Sequence, residues 1–553
     1  MGFRFSWGLF AVALTGASAA QAAAPKTPRI VRTDTLAPLA GRLYTPAKGQ
    51  SSLAFYGTDL GLTFEHQGKV RILFGDTFTT ATNDPFPNDD AQGTIPFGLC
   101  PGGDLVDAWV AAHPPPSGGL SWQRGGPPVV FATDPTTANT LSFIHVFENG
   151  TSLEMGPLKT PVAAFSDGHD NAFGLFYRVT SDECQASTSG APTCDAGLVC
   201  DPGIGNCGPL PVPCVVDAAP GARGSCPLGL TCLPTANGAC RDTTSSIDDG
   251  GDEGRVRSVA QRMEIGVADP SRPEYYTGVP WNVNKFVNPV ARTVRHLDLT
   301  NRDCHEADYR AADGSDPTHQ KVLIWGRPAF AGVQAEGREA DVYLLYADMP
   351  SLDATGAPIW NPHYFTGVNK KGVPAFSSNQ RDAVPLDLSG GNGDPSEPID
   401  IVNQITVSWV APIQKWVMLY GGDLEPLIIP VFDPGAQPTP GGGIQIRFAD
   451  NPWGPWTPPQ TLLTAGDPTN PMGPPTTQYG PGGILFDPLC TGTDCVTGDL
   501  PPLPGGFDIG RLYAPNIVDC WTEDRGHNQA DIYWNVATWD PYEVVLMKTR
   551  LAR

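Results

Sequence analysis

The chain has 553 residues, a formal net charge of −23 and 35 basic residues that are dispersed along its length. Nucleic acid and anionic membranes are disfavoured as partners, because both require clustered Lys and Arg. The 63 glycines and 58 prolines separate short aromatic and β-branched runs, which is typical of an all-β protein with many turns.

The first 22 residues have the features of a secretory signal peptide. Arg4 is basic, an apolar segment runs from about Phe5 to Leu14, and small residues at 17–22 offer cleavage sites. No later stretch contains the roughly eighteen consecutive apolar residues of a membrane-spanning helix. We therefore expect a protein without a membrane span that is secreted to the periplasm or the extracellular space.

A hairpin is predicted early in the chain, with Gln67-Gly68 as its two-residue turn. In that register His66 faces Lys69, and Asp59 faces Asp76. Directly opposed residues of an antiparallel pair point to the same face, with Cβ atoms about 4.5–5.5 Å apart. We therefore expect two carboxylates to share one end of the hairpin.

Two carboxylates this close destabilise a purely structural hairpin, and one of them should be pushed toward its protonated form. Acid–base cleavage of a glycosidic bond requires this arrangement, so Asp59 and Asp76 are candidate catalytic residues, and the adjacent Thr58 and Thr77 are candidate substrate-binding residues. The alternative is turn chemistry, in which an Asp beside a Gly binds nearby backbone N–H groups. A one-residue change in the loop would send the two acids to opposite faces.

The segment after Asp76, from Thr79 to Pro128, is polar and rich in Asp, Pro and Gly. We expect a long loop that walls the site. Beyond it, aromatic-rich strands are predicted in groups, with no convincing helix of three turns. The groups lie within 128–177, 256–294, 321–366, 404–448 and 512–547.

Thirteen cysteines in an exported chain indicate disulfides. Zinc is disfavoured for most of them, because their spacings exceed the two to four residues typical of structural zinc. We predict a cysteine-rich insertion at 181–241, and the odd total requires at least one free or intermolecular thiol. Cys490 and Cys495 are close enough in sequence to pair. Eight cysteines form two similar groups in the insertion: Cys184, Cys194, Cys200 and Cys207, then Cys214, Cys226, Cys232 and Cys240.

An acidic linker follows the insertion at 242–255. Its acids Asp248, Asp249, Asp252 and Glu253 are potential calcium ligands, but they lack the ordered spacing of a calcium-binding loop. A solvated linker is therefore the preferred interpretation. The nine histidines are scattered, so we predict no metal site and no cofactor other than such a structural calcium.

The strand groups favour a propeller over a double-sheet sandwich, since radial repetition of four-stranded sheets accommodates many short strands. Five blades fit the count best if the lead-in from Lys26 to Gln50 pairs beside the C-terminal strands. We therefore predict an all-β, five-bladed β-propeller with a small disulfide-rich insertion. Residues 23–180 form its first part and residues 256–553 form its remainder and closure.

Five motifs, in chain order, resemble those of the domain-of-unknown-function 4185 family. This family comprises secreted bacterial five-bladed propellers, some of them classed as glycoside hydrolase family 183, the endo-acting D-arabinanases. The resemblance runs from about Ser52 to Leu551, outside the cysteine-rich insertion and the loop after Asp76. The motifs are Gly57-Thr-Asp-Leu-Gly61, Phe74-Gly-Asp-Thr77, Lys415-Trp-Val-Met-Leu-Tyr420, Ala449-Asp-Asn-Pro-Trp-Gly-Pro-Trp456 and Thr538-Trp-Asp-Pro-Tyr-Glu-Val-Val545.

The resemblance implies a cleft at the top of the propeller channel, with Asp59 and Asp76 as the first choices for catalysis. In the family, the strand before the Lys-Trp-Val-Met motif often carries a Gly-Glu pair, where this chain has Asn403-Gln404. Gln binds sugar hydroxyls but does not donate a proton as a carboxylic acid does. Asp170 and Glu397 are candidate substitutes, although acids in such loops more often cap the backbone.

The remaining candidates are substrate-binding residues. His169 adjoins Asp170 and would tune its acidity, while Arg327 and Tyr513 are placed at strand ends facing the channel, where Gln404 also lies. Trp539 offers a stacking face for a sugar ring, although blade packing is the usual role of a propeller Trp.

These observations predict a secreted glycoside hydrolase that acts on a furanose-rich polysaccharide such as D-arabinan. The alternative is a non-catalytic glycan-binding or cell-surface adhesion propeller, whose cysteine-rich module binds a cell-surface or protein partner. The sequence motifs of zinc metalloproteases, α/β-hydrolases and P-loop proteins are absent.

Overall fold

The computed structural model describes 24 stretches of the chain. They are residues 27–41, 53, 57–79, 89–95, 102–112, 129–134, 140–148, 151–154, 159–168, 170–178, 198–201, 206–209, 231–233, 239–241, 262–268, 273–282, 285–286, 288–294, 320–327, 342–388, 402–421, 444–463, 511–539 and 543–553.

Strands dominate these stretches, as the Gly- and Pro-punctuated β-branched runs predict. In chain order the elements are β1 (Arg29–Ala40), β2 (Leu62–His66), β3 (Lys69–Thr77), β4 (Asp89–Ile95), α1 (Gly103–Ala112), β5 (Val130–Phe131), β6 (His145–Glu148), β7 (Thr151–Glu154), β8 (Lys159–Ser166), β9 (Ala172–Arg178), β10 (Leu198–Asp201), β11 (Asn206–Pro209), β12 (Thr231–Leu233), β13 (Ala239–Arg241), β14 (Arg262–Ala268), β15 (Glu274–Asn282), β16 (Asn288–Val294), β17 (Lys321–Arg327), β18 (Tyr343–Asp348), β19 (Ser351–Leu352), β20 (Pro358–Ile359), β21 (Pro362–Val368), β22 (Pro374–Ser377), β23 (Val402–Val410), β24 (Lys415–Gly421), β25 (Ile444–Ala449), β26 (Gln460–Leu463), β27 (Arg511–Ile517), β28 (Glu523–Gly526), β29 (Gln529–Trp539) and β30 (Glu543–Ala552). None of the helices within the described stretches is long and apolar enough to cross a membrane.

Five larger sheets form the blades of a β-propeller, as predicted. Blade 1 has the strand order β2-β3-β4-β5, blade 2 has β8-β9-β14-β15-β6-β7 and blade 3 has β16-β17-β18-β21-β22. Blade 4 has the order β23-β24-β25-β26, and blade 5 has β27-β29-β30-β1 with β28 beside β29. The first strand of each blade contacts the first strand of the next, in the closed order β2, β8, β16, β23, β27 and back to β2. These five inner strands therefore line the central channel.

The hydrophobic core is divided among the five junctions between blades. Each of the five buried clusters joins neighbouring blades, and together they complete the circle. At the junction of blades 3 and 4, for example, the rings of Trp325 and Trp416 lie 5.3 Å apart and are fully buried. Burial of such large apolar surfaces is the main stabilising term in the fold.

The N-terminal strand closes the propeller, which confirms the predicted pairing of the lead-in with the C-terminal strands. Strand β1 pairs antiparallel with β30 from Arg29–Ala552 to Ala40–Val544. The first strand of the chain thus becomes the outermost strand of blade 5. This pairing ties the two ends of the described chain into one sheet.

The opening hairpin is confirmed over β2 and β3. Its register pairs His66 with Lys69 and Leu62 with Leu73, and Gln67 and Gly68 both have the positive φ angles that a tight two-residue turn requires. The same register returns at the isolated bridge between Gly57 and Phe78. The intervening residues depart from it, as described below.

Two features of the segment after Asp76 differ from the predicted long loop. Residues 89–95 form β4, the third strand of blade 1, and residues 103–112 form α1. The helix packs on blade 5, where Asp107 accepts hydrogen bonds from Lys548 Nζ at 2.6 Å and from Tyr533 at 2.7 Å. Val106 on its inner face is fully buried. The flanking Pro and Gly residues conceal both elements in the sequence.

The predicted strand groups also divide differently among the blades. Strands β14 and β15 belong to blade 2, together with β8 and β9, while β16 begins blade 3. Short strands β6 and β7 extend blade 2 outward because β6 pairs in parallel with β15. Aromatic runs reveal individual strands in the sequence, but they do not reveal which strands belong to the same blade.

Each group of four cysteines contributes one short hairpin. Cys200 faces Cys207 in the β10–β11 register, and Cys232 faces Cys240 in the β12–β13 register. The third and fourth cysteines of each group therefore occupy equivalent positions, which agrees with the repeat seen in the sequence. Cys520, outside the insertion, is disulfide-bonded.

Candidate functional site

The five inner strands all begin at one end of the channel. At the other end, the last residues of β2 and β8 meet, with His66 Nδ1 and Ser166 Oγ 2.9 Å apart. Thr293 near the end of β16 donates to the Ser166 carbonyl at 3.0 Å. We call the end at which the inner strands begin the entrance end, and the other the far end. The second strand of each blade runs back to the entrance end. Thr77 at the end of β3 and Arg327 at the end of β17 therefore lie there.

Backbone irregularities concentrate at the entrance end. Strand β8 has a register shift between Pro161 and Ala163, β23 between Val402 and Ile405, and β27 between Tyr513 and Asn516. In blade 1 the shift lies between Leu73 and Asp76 in the β3–β4 ladder. Bulges re-aim side chains and are common beside functional sites. Four of the five blades are thus adapted at this end of the channel.

Asp59 lies just before β2, one residue out of the predicted register. Its carbonyl accepts hydrogen bonds from Gly75 N at 3.2 Å and Gly61 N at 2.9 Å, because Leu60 and Gly61 turn the chain with φ angles of 61° and 68°. The carboxyl group covers Gly75, where an added Cβ would lie 2.2 Å from Asp59 Oδ1. Asp59 thus contacts the residue next to Asp76 and does not form the regular cross-strand pair that we predicted.

Tyr513 joins Asp59 from blade 5. Its hydroxyl donates to Asp59 Oδ2 at 2.9 Å, while Asp59 itself is only 8% exposed. The adjacent Ala514 has a φ of 48° within the bulge of β27. A hydroxyl that donates to a carboxylate stabilises its negative charge. Two sequence-predicted site residues are therefore in direct contact.

Asp76 is the penultimate residue of β3, on the other side of Gly75 from Leu73 and Phe74. Burial raises the pKa of its carboxyl to about 6. Its register partner in β4 is Asp90, which is fully buried and which the sequence analysis did not select. The sequence does contain a pattern that could have revealed strand β4: Asp90, Gln92 and Thr94 alternate with small or apolar residues at a period of two.

Thr58 and Thr77 support this arrangement from within. Their hydroxyl oxygens are 2.8 Å apart, and Thr77 donates to the Gly75 carbonyl at 2.8 Å. Both residues are fully buried. Their hydroxyls therefore contact protein atoms and hold the Gly75 segment against Asp59.

Arg327 and Gln404 lie at the entrance end on blades 3 and 4. Arg327 is the last residue of β17 and pairs in register with Asn288, the first residue of β16. Gln404 lies within the bulge of β23 between Val402 and Ile405. All three side chains are at least nine-tenths buried. The first strand of blade 4 and the second strand of blade 3 thus bring Gln404 and Arg327 to the same end as Asp59, Asp76 and Tyr513.

Asp170 lies at the far end, in the turn between β8 and β9. In this turn Asn171 donates to Asp167 through its backbone N at 3.1 Å and its side chain at 2.7 Å. The structure therefore does not bring Asp170 together with Asp59 and Asp76, because β8 runs away from the entrance end. His169 and Glu397 lie outside the described residues, as does the side chain of Trp539, the last residue of β29.

A polar plug occupies the channel toward the far end. Arg292 of β16 donates to Thr406 Oγ1 at 2.9 Å and to the Ile517 carbonyl at 3.4 Å, and its Nε lies 2.8 Å from Asp519 Oδ2. Thr63 donates to Asn516 and Ile517, which joins blade 1 to blade 5. Burial raises the pKa of Asp519. These contacts cross the channel between blades 1, 3, 4 and 5.

Metal chemistry receives no support from the described residues. Within those stretches, no group of three or more His, Cys, Asp or Glu side chains is placed to hold a metal ion. The acidic linker at 242–255, which carried the calcium hypothesis, lies outside the described residues.

Comparison with known proteins assigns the chain to no family. No protein-family model matches the chain, and no curated protein gives a significant match. The resemblance to the domain-of-unknown-function 4185 family therefore stays a prediction.

Solved structures that align with the chain include a neuraminidase-like protein and a sialidase. The first is a subtype N11 neuraminidase-like protein of A/flat-faced bat/Peru/033/2010 (H18N11), with 7% identity over 96% of this chain and 97% of that chain, at a TM-score of 0.27. The second is Trypanosoma rangeli sialidase in complex with sialic acid, with 8% identity over 95% of this chain and 58% of that chain, at a TM-score of 0.23. Both TM-scores lie below 0.5, so neither similarity carries an argument about the chemistry of this chain.

Proposed function

We propose that this protein is a secreted glycoside hydrolase that cleaves a neutral, furanose-rich polysaccharide such as D-arabinan at the entrance end. The observation that carries the proposal is the contrast between two neighbouring carboxyl groups. Burial raises the pKa of Asp76 to about 6, whereas Asp59 accepts a hydrogen bond from Tyr513. Carboxyl groups whose environments differ in this way serve as the acid and the base of glycoside cleavage.

In this mechanism, protonated Asp76 donates its proton to the leaving-group oxygen as the bond to the anomeric carbon breaks. Ionised Asp59 either deprotonates a water that attacks the anomeric carbon or attacks that carbon itself. In the second case a glycosyl ester forms, and Asp76, now ionised, deprotonates the water that displaces Asp59. Both routes consume one water. The second route returns the proton to Asp76 directly, whereas after the first route Asp59 releases its proton to solvent and Asp76 takes one up from solvent.

The charge of the site supports a neutral substrate. Three carboxyl-bearing residues, Asp59, Asp76 and Asp90, are gathered in blade 1 at the entrance end, and the whole chain carries a net charge of −23. An anionic glycan would be repelled by this field. In this proposal Gln404 and Arg327 would bind sugar hydroxyl groups, since amide and guanidinium groups donate to neutral oxygen atoms.

The direct test is incubation of the purified protein with D-arabinan and other neutral glycans, followed by measurement of new reducing ends. Asp59→Asn and Asp76→Asn should abolish cleavage and leave the fold intact. The matched control is Asp348→Asn, which removes an exposed carboxylate paired with Lys321 on blade 3 and should retain activity. Wild-type activity in both site variants would refute the proposal. The anomer first released, read by proton NMR, distinguishes the two routes.

One observation favours a second function. Gln404 stands where the resemblance implies a carboxylic acid, so the entrance end would serve as a non-catalytic glycan-binding site if that acid is indispensable. Under this alternative the wild-type protein binds a glycan in isothermal titration calorimetry without producing reducing ends.

A further inference from the structure

A third acid, Asp90, lies opposite Asp76 in the β3–β4 ladder. The register pairs Leu73 with Gln92 and, after one bulge, Asp76 with Asp90. Residues two apart on a strand share a face, so Asp90 lies on the face of Gln92, and its partner Asp76 returns to the face of Leu73. The bulge is what brings the two acids opposite each other.

That face of blade 1 packs against blade 2. Leu73 is buried there in a cluster with Ile144 and Val146, and the Tyr275 hydroxyl donates to Gln92 Oε1 at 2.8 Å. Asp90 is fully buried and its carbonyl accepts a hydrogen bond from Ile144 N at 2.9 Å. Asp90 therefore lies at a dry junction between two blades.

Two carboxyl groups in such a position do not ionise independently. Opposed residues in an antiparallel pair have Cβ atoms about 4.5–5.5 Å apart, and like charges at that separation favour retention of one proton, here with Asp90 fully buried. The pair then titrates as a unit. One member holds the proton while the other is ionised.

We propose that Asp90 is a positioning residue of the candidate site, which keeps the opposing Asp76 carboxyl protonated and so makes it the acid of the reaction. The role of Asp76 as acid rests on the proposed function, whereas proton retention by the pair does not. In this proposal the protonated Asp76 takes the role of the glutamate that the family resemblance implies at position 404, where this chain has Gln.

The other ionisable groups around Asp76 differ from Asp90 in position. Asp59 lies across Gly75 and is held by Tyr513, while Arg71 on β3 donates to Thr94 at 2.8 Å. The neighbouring inner strand β8 begins at Lys159 at the entrance end. Tyr275 of blade 2 binds Gln92, and burial raises the pKa of its hydroxyl, so it stays neutral. Glu543, another buried acid at this end, packs against Gly41 in blade 5.

The test is a carboxyl titration by carbon-13 NMR of protein labelled at the Asp side chains, with no substrate present. Asp76→Asn assigns the Asp76 resonance by its loss. In Asp90→Asn, the midpoint of the Asp76 titration should move to lower pH by about one unit or more, because the like charge is gone. The control Asp348→Asn removes the exposed carboxylate paired with Lys321 on blade 3 and should leave that midpoint in place.

A second measurement reads the pair from the other side. In Asp76→Asn, the titration of Asp90 should not move to lower pH, because wild-type Asp90 already ionises opposite a protonated and therefore neutral Asp76. A move to lower pH would show that Asp90 holds the shared proton and would overturn the inference, which keeps the test decisive if Asp90→Asn does not fold. An Asp76 midpoint that is unchanged in Asp90→Asn, or that moves equally in Asp348→Asn, would also overturn the inference. With an active enzyme, the alkaline limb of the kcat/KM profile should move with the Asp76 midpoint. If the titrations behave as expected but no glycan is cleaved, the proposed function fails and the paired titration stands.

Discussion

The Tyr513 hydroxyl donates a 2.9 Å hydrogen bond to Asp59 Oδ2, and this bond joins blade 5 to blade 1 at the entrance end of the channel. It orients the carboxyl group and stabilises its ionised form. A hydrogen bond to a charged group contributes about 1.5–3 kcal/mol, so Tyr513→Phe should lower kcat/KM by roughly 10- to 100-fold. Initial rates of reducing-end release measure the effect. Tyr364→Phe, which removes a buried hydroxyl bound to Trp281, is the matched control and should retain activity.

Gly75 separates the two candidate catalytic acids, and its lack of a side chain is required there. An added Cβ would lie 2.2 Å from Asp59 Oδ1 and 2.8 Å from Leu60 Cδ1. Gly75→Ala should therefore displace the Asp59 carboxyl, reduce cleavage by more than tenfold and cost about 1–3 kcal/mol of folding stability.

The control for Gly75→Ala is a similar clash elsewhere. In Gly174→Ala the new Cβ would lie 2.4 Å from a ring atom of Phe176 in blade 2. Thermal unfolding should show a comparable loss of stability, while the folded fraction keeps its kcat/KM. Equal losses of activity in the two variants would show that the effect of Gly75→Ala is unfolding and not displacement of Asp59.

The raised pKa of Asp76 predicts a pH-dependent gain of stability in Asp76→Asn. The carboxyl titrates at about 6 in the folded protein, against 3.8 for the unperturbed group. The folded state thus holds the proton more tightly, and its stability decreases as pH rises from about 4 through 6. At pH 7 the variant should be more stable than the wild type by up to about 3 kcal/mol. Urea unfolding at pH 4 and pH 7 tests this, and an equal difference at both values would contradict it.

The sequence predicts the register of the β2–β3 hairpin, but it does not predict the local shift of that register at Asp59. The Gln67-Gly68 turn specifies the β2–β3 register, and the alternating apolar residues around it reinforce the pairing of Leu62 with Leu73. The one-residue shift at Asp59 depends on positive φ angles at Leu60 and Gly61. A leucine gives no sequence signal for such a conformation, because its φ there is imposed by packing against Gly75.

The third acid was missed for a related reason. Strand β4 carries Ala91 and Gly93 on one face and polar residues on the other, so its alternation lacks the β-branched and aromatic residues that mark a strand. Its strand geometry comes from pairing with β3 and β5, a tertiary effect. By contrast, closure by β1 was predictable, because a propeller needs a partner for its last outer edge.

The plug at the far end should contribute strongly to stability. Arg292 is 5% exposed and reaches Thr406, Ile517 and Asp519, which lie on or beside two other blades. Arg292→Met leaves Asp519 without its cation, and loss of one partner of a buried pair costs about 3 kcal/mol. Adding Asp519→Asn should restore part of that loss, as a double-mutant cycle by urea unfolding would reveal. The exposed pair of Lys321 and Asp348 is the control, and Lys321→Met should cost less than about 1 kcal/mol.

The cysteine-rich insertion should be removable without loss of the propeller. Strand β9 ends at Arg178 and β14 begins at Arg262, and these two residues are direct partners in the ladder of blade 2. Replacement of residues 179–261 by a short Asn-Gly turn should therefore preserve the hairpin and the melting temperature.

Because β9 returns from the far end, the insertion leaves the propeller at the entrance end, beside the candidate site. If it contributes to binding of long substrates, its deletion should raise KM for a polysaccharide at least several-fold and leave kcat on short oligosaccharides unchanged. A deletion variant that fails to fold would contradict the domain boundaries, and an unchanged KM for the polysaccharide would assign the insertion to a partner other than the substrate.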